Sequence, residues 1–198
     1  MKKYIKNILI ITVLALLVVG YFWYLSNKEP TSTKVATDNN NRELEALLTR
    51  DINSAYPESP KEVVKLYSRI TAAYYKTALT DEQIETLGKQ ARLLFDDELK
   101  RTQSDEEFIA QLKLDIEAYR TIERYVSGYD VDESENVVYK TFEGKKYASL
   151  NVVYMIRQGV ALTDSDTKYM LRQDDDGRWK ILYWELDGEI QTKTSAEE

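Results

Sequence analysis

The segment from Ile8 to Leu25, ILIITVLALLVVGYFWYL, runs for eighteen residues without a charge. At a helical rise of about 1.5 Å per residue it spans roughly 27 Å, close to the hydrocarbon thickness of about 30 Å. Twelve of the eighteen are Leu, Ile, Val or Phe. At about −0.3 to −0.6 kcal/mol each, insertion into a bilayer is favoured by roughly 4–7 kcal/mol before polar corrections. Tyr21, Trp23 and Tyr24 stand at one end, where amphipathic rings prefer the headgroup level. Lys2, Lys3 and Lys6 precede the run, while Lys28 and Glu29 cancel behind it. The positive-inside rule then puts the N-terminus in the cytoplasm and the rest of the chain outside. A cleaved signal peptide is the alternative. It needs small residues at the cleavage point, where this chain has Val19-Gly20-Tyr21-Phe22-Trp23. The expectation is an uncleaved single-pass anchor, with the lipid bilayer as its partner through residues 8–25.

Composition partitions the remainder. Residues 26–42, SNKEPTSTKVATDNNNR, are polar and aperiodic and read as a linker. Residues 187–198 read as a flexible tail, and residues 1–7 as a cytoplasmic one. Residues 43–186 are left as one domain-sized segment. Residues 1–42 carry six Lys/Arg and two Asp/Glu, which leaves 21 basic against 32 acidic residues on the rest, a net −11. Phosphate neutralisation needs clustered Lys/Arg, so no nucleic-acid partner is expected.

Two residue types are missing from the sequence altogether, Cys and His. Without Cys there is no disulfide, thiol nucleophile, thiolate zinc site or lipoprotein acylation site. Without His there is no Ser-His-Asp or Cys-His relay and no imidazole ligand. Neither cofactor nor metal is expected. Asp130-Val-Asp132-Glu-Ser134-Glu135 begins like a calcium loop but has Glu135 where the loop needs Gly and Thr141 where it needs Glu. Asp174-Asp175-Asp176-Gly177 is turn chemistry.

The local code is explicit over residues 59–119. Ser59-Pro60-Lys61-Glu62, Thr80-Asp81-Glu82-Gln83 and Ser104-Asp105-Glu106-Glu107 each open a helix with an N-cap and an N3 acid or amide. Val63, Tyr67, Ile70 and Tyr74 form one face of the first of these. Ile84, Leu87, Ala91, Leu94, Phe95 and Leu99 form one face of the second, and Phe108, Leu112, Ile116 and Tyr119 one face of the third. A weaker helical segment covers Arg42 to Asn53. Beyond about residue 121 the period becomes two. Val137, Tyr139 and Thr141 alternate, then Ala148, Leu150, Val152, Tyr154 and Ile156. Thr167–Gln173 and Arg178–Leu186 flank the Asp-Gly turn, with Trp179, Ile181 and Tyr183 expected on one face and Lys180, Leu182 and Trp184 on the other. The expected class is α+β, with three or four helices on a curved antiparallel sheet behind an N-terminal transmembrane helix.

That element order resembles the nuclear-transport-factor-2-like superfamily. So do Tyr169-x-Leu171-Arg172-x-Asp174-Asp175-x-Gly177-Arg178-Trp179-Lys180-Ile181, Pro57-x-Ser59-Pro60-x-Glu62-Val63-Val64-x-Leu66-Tyr67 and Arg92-Leu93-Leu94-Phe95-Asp96-Asp97-Glu98-Leu99. The likeness covers roughly residues 43–186 and points to a membrane-anchored bacterial branch. It implies a cone-shaped, cystatin-like fold with an apolar pocket, used by some members for isomerase, dehydratase or hydrolase chemistry and by many for binding alone. The dehydratase Asp-His pair is impossible here.

An isomerase-like site needs a carboxylate base and a Tyr or protonated acid to hold an oxyanion. Tyr67, Tyr74, Tyr139, Tyr154, Tyr169 and Tyr183 are expected inward or near the pocket, with Glu185 the nearest carboxylate. Arg92 and Asp96, four apart on one helix, are placed to pair. The candidate ligand-binding set is therefore Tyr67, Tyr74, Arg92, Asp96, Tyr154, Trp179 and Tyr183, with no catalytic residue assigned. The sequence favours an extracytoplasmic domain that binds a protein partner or an apolar ligand. A tethered isomerase- or hydrolase-like enzyme with a Tyr/carboxylate pocket and a scaffold of a secretion or conjugation apparatus stand as alternatives.

Overall fold

The computed structural model describes residues 31–76, 78–186 and 191–193, with side chains from residue 40 to residue 186 apart from residue 77. The apolar run Ile8–Leu25 lies outside the described residues. Among those described, no helix is long and apolar enough to cross a membrane. The chain divides into two units, residues 1–43 and 44–198.

Among the described residues, five helices precede six strands. Helix α1 covers Thr31–Leu48, so the stretch read as a linker is helical from Thr31 onward. A polar, aperiodic composition denies a helix a core-facing stripe but does not forbid the helix. Its last turns bury Leu44 and Leu47, three residues apart, within the second unit. Helix α2 spans Pro60–Lys76. Ser59 caps it, its Oγ accepting from the Glu62 N–H at 3.2 Å. Helix α3 spans Asp81–Leu93 and helix α5 spans Asp105–Thr121. Both begin with reciprocal capping boxes, Thr80 with Gln83 and Ser104 with Glu107.

Between them the structure departs from the sequence pattern. The face expected to continue through Phe95 and Leu99 stops at Leu93, because the next backbone joins the sheet. Asp96 N–H donates to Ile181 O at 2.8 Å, and Ile181 N–H donates to Leu94 O at 2.8 Å. Asp96 then caps the short helix α4, Asp97–Arg101.

The strands are β1 Arg124–Val131, β2 Val138–Phe142, β3 Lys145–Gln158, β4 Ala161–Gln173, β5 Trp179–Leu186 and β6 Gln191–Lys193. The named strands pair antiparallel, and the bridge between Phe95 and Ile181 is parallel. The long β3–β4 hairpin is the spine of the sheet. Strands β1 and β2 lie end to end along the free edge of β3, and β5 and β6 do the same along β4. Strand β6 thus pairs within the stretch expected to be a flexible tail. The alternation read along β3 holds, with Ala148, Leu150, Val152 and Tyr154 buried. Strand β2 does not follow its own alternation. All five of its residues are exposed, Tyr139 among them.

Two bulges bend the sheet, one at Ser127 in β1 and one at Leu182 in β5. An extra residue on one strand kinks it and raises the local twist. Helix α2 packs on β1, β3 and β5, and α5 packs on β1 and α3. The α3–α5 contact is close: Gly88 of α3 meets the Ile109 side chain where a Cβ would stand. The protein is therefore α+β, with helices packed on an antiparallel sheet.

Candidate functional site

A cavity of about 320 Å³ lies between α2, α5 and the inner sheet face, near the lower end of the roughly 300–1,000 Å³ range of ligand sites. The helical period of α2 delivers Tyr67, Thr71 and Tyr74 to it, at spacings of four and three. Strand β3 supplies Tyr154 and Ile156, and β4 supplies Ser165, Thr167 and Tyr169 at every second position. Helix α5 closes one side with Phe108, Leu112, Asp115 and Tyr119. Trp184 and Leu186 arrive from β5.

The aromatic rings brace one another edge to face. Tyr67 meets Phe95 at 5.5 Å and Tyr169 at 5.9 Å, and tilts against Trp184 at 5.7 Å. Tyr75 and Tyr119 lie tilted against each other at 4.3 Å. Such pairs contribute about 0.5–1.5 kcal/mol each beyond area burial. Beneath them runs a chain of hydroxyls. Ser68 Oγ and Tyr154 OH lie 2.9 Å apart, and Tyr154 OH and Tyr169 OH 2.8 Å apart. Burial raises the pKa of Tyr67, Tyr74, Tyr154 and Tyr169 above the ordinary tyrosine value, because a phenolate there would lose its hydration. These groups are neutral hydroxyls that donate or accept. The Tyr74 hydroxyl is buried and has no hydrogen-bond partner among the described residues.

Of the seven residues the sequence singled out, Tyr67, Tyr74 and Tyr154 meet in this cavity and the other four do not. Tyr183 is a correction with a clear cause. The bulge at Leu182 lets both Leu182 and Tyr183 face outward, so the alternation inverts and Trp184 takes the inward place. A one-residue slip moves every later side chain to the opposite face. Trp179, before the bulge, does point into the core, but away from the cavity. There it carries Tyr139 on its ring at 5.7 Å and accepts a hydrogen bond from Tyr56 OH on its carbonyl at 2.8 Å.

Arg92 and Asp96 do not pair with each other. Arg92 is buried, makes an ion pair with Asp105, and donates to Lys100 O at 3.2 Å and Gln103 O at 2.9 Å. It ties α3 to the end of α4 and the start of α5. Asp96 instead accepts from Arg172 of β4, through Nε at 3.0 Å and through Nη2, and caps α4 by accepting from Glu98 N–H at 2.9 Å. Both residues are structural staples away from the cavity.

Sequence reasoning passed over Phe108, Asp115, Tyr119 and Trp184 as cavity residues. Phe108 and Tyr119 carried the signal, since they lie on the inward face of α5. Asp115 and Trp184 carried none. Asp115 is the lining carboxylate among the described residues. It is exposed, at the rim, and accepts from Gln111 Nε2 at 2.9 Å. Glu185, the carboxylate the sequence put nearest, is exposed and is not a lining residue.

No group of three or more His, Cys, Asp or Glu among the described residues is arranged to hold a metal ion. Asp132 accepts from the Asn151 backbone and side-chain nitrogens at 2.8 and 3.0 Å, and Glu133 pairs with Lys61 at 2.7 Å. Asp174 accepts from Arg178 N–H at 2.8 Å, closing the turn.

A family model described as a domain of unknown function (DUF6715) matches residues 1–184, and the chain belongs to that family. No curated protein matches it.

Proposed function

We propose that this member of the DUF6715 family is a single-pass membrane protein. Its N-terminus is cytoplasmic, and its extracytoplasmic domain holds a small, largely apolar ligand in the tyrosine-lined cavity without transforming it. The run Ile8–Leu25 and its lysine asymmetry support the anchor and its orientation, and the family match begins at residue 1, so that run belongs to the shared sequence. Helices packed on one face of a bent antiparallel sheet, with an aromatic cavity between the layers, support the nuclear-transport-factor-2-like cone.

The observation that carries the binding reading is the Tyr74 hydroxyl. A buried hydroxyl without a partner costs about 1–3 kcal/mol. Tyr74 lines the cavity, and a ligand that reaches its hydroxyl with a donor or acceptor recovers that cost. The enzyme reading has less support. Proton abstraction needs a carboxylate held against substrate, and Asp115 sits exposed at the rim.

Two measurements test the proposal on the full chain. A β-lactamase fused after Glu198 is expected to protect cells from an external β-lactam; activity confined to the cytoplasm would refute the orientation. In neutral-lipid nanodiscs, 2-phenylethanol is expected to bind saturably, by saturation-transfer NMR. Ser165→Phe, which fills the cavity from β4, is expected to abolish that signal with the far-UV spectrum unchanged. Binding that survives Ser165→Phe would place the ligand elsewhere.

A further inference from the structure

Half of the sixteen residues that line the cavity are aromatic, and none is Lys or Arg. A cavity built for a fatty acid or a phosphate carries a cation to neutralise it; this one has aromatic rings, neutral hydroxyls and a carboxylate at the mouth. Two arginines that lie over lining rings are engaged on their own partners. Arg92 lies over the Phe108 ring at 5.3 Å and is held by Asp105, Lys100 and Gln103. Arg124 lies over Tyr119 at 5.6 Å and donates to Gln158 at 3.0 Å. Neither is a lining residue.

Resting on the binding reading above, we propose that the cavity selects a small organic cation, an ammonium on an apolar or aromatic body. Three features make the selection. The π-systems of the lining rings Tyr67, Tyr169 and Trp184 attract a cation that seats within about 6 Å of a ring centroid. The unpartnered Tyr74 oxygen offers a buried acceptor for an N–H. Asp115 at the rim, on a chain whose residues 43–198 carry a net charge of −11, draws the cation in and repels an anion. The charge series follows: ammonium above alcohol, and carboxylate below both.

The experiment compares 2-phenylethylammonium, 2-phenylethanol and 3-phenylpropanoate, which share an aromatic body and differ in charge. Each is titrated against the full chain in phosphatidylcholine nanodiscs by isothermal calorimetry, with empty nanodiscs subtracted. The ammonium is expected to bind at least ten-fold more tightly than the alcohol, and the carboxylate not at all. Asp115→Asn, at an exposed position, is expected to cut the ammonium-to-alcohol ratio at least three-fold, and Tyr74→Phe to weaken the ammonium further. Equal affinity for ammonium and alcohol, or preference for the carboxylate, overturns the charge inference and leaves the binding reading standing. If none of the three binds at millimolar concentration, both fall.

Discussion

Replacing Asp96 by Ala tests whether the core of the domain is wired as the structure has it. The Asp96 carboxylate is 6% exposed and Arg172 is 18% exposed. Breaking a buried pair by removing one partner costs about 3–5 kcal/mol. That figure is an upper bound here, because Arg172 keeps a second bond to Glu98 at 3.1 Å and some water. Loss of the α4 cap adds about 1 kcal/mol. We expect Asp96→Ala to cost about 3 kcal/mol. Arg172→Met is expected to cost about 2 kcal/mol, since Asp96 then keeps its backbone donor while losing a charge-assisted one. The two are expected not to add. Their coupling energy should be about 1.5–2 kcal/mol, in the range found for residues in direct contact. The cycle of Asp96 with Arg92, the partner suggested by helical spacing, is expected to couple by less than about 0.5 kcal/mol. The assay is urea unfolding of the full chain in neutral detergent, followed by tryptophan fluorescence with the m-value unchanged. A parallel thermal scan should show a fall of about 6–12 °C for Asp96→Ala, at roughly 2–4 °C per kcal/mol for a domain of this size. A coupling to Arg92 as large as that to Arg172 would refute the assignment.

Two further predictions follow from the sheet and its tyrosines. The bulge at Leu182 makes Trp184→Ala costly, at about 1–3 kcal/mol, because it removes ring contacts with Tyr67, Phe95 and Tyr169, whereas Tyr183→Ala should cost under about 1 kcal/mol. Denaturant midpoints rank the two, and the reverse order would place Tyr183 inside. Tyr67, Tyr74, Tyr154 and Tyr169 all have folded pKa values above the ordinary 10.0. A raised pKa means the folded state holds more protons than the unfolded one above pH 10, so this stabilisation is complete below pH 10 and is lost as pH rises beyond it. Tyrosinate absorbance at 295 nm should thus appear for these four only together with loss of the circular-dichroism signal; independent titration near pH 10 would contradict their burial.

What the sequence determined by itself were features completed within a few residues. Thr80 finds Gln83, Ser104 finds Glu107 and Asp174 finds Arg178 and Gly177 without reference to anything distant. The alternation along β3 and the stripe on α2 are equally local, because pleat and helical pitch impose them on any chain that buries one face. Tertiary structure decided the rest, wherever a residue's fate depended on a neighbour far along the chain. Helix α3 ends at Leu93 because β5, nearly ninety residues on, takes the next backbone groups into its hydrogen bonds. Arg92 and Asp96 satisfy the spacing rule for a pair, yet each has a partner with better geometry on another element. Tyr183 and Trp184 exchange faces through a single unpaired residue, and no pattern within β5 marks it, since the bulge exists only relative to its register with β4. The cavity is the extreme case, for Tyr67, Tyr74, Tyr154 and Tyr169 become neighbours only when a helix and two strands close over them, and the unpartnered hydroxyl of Tyr74 is a property of that closure.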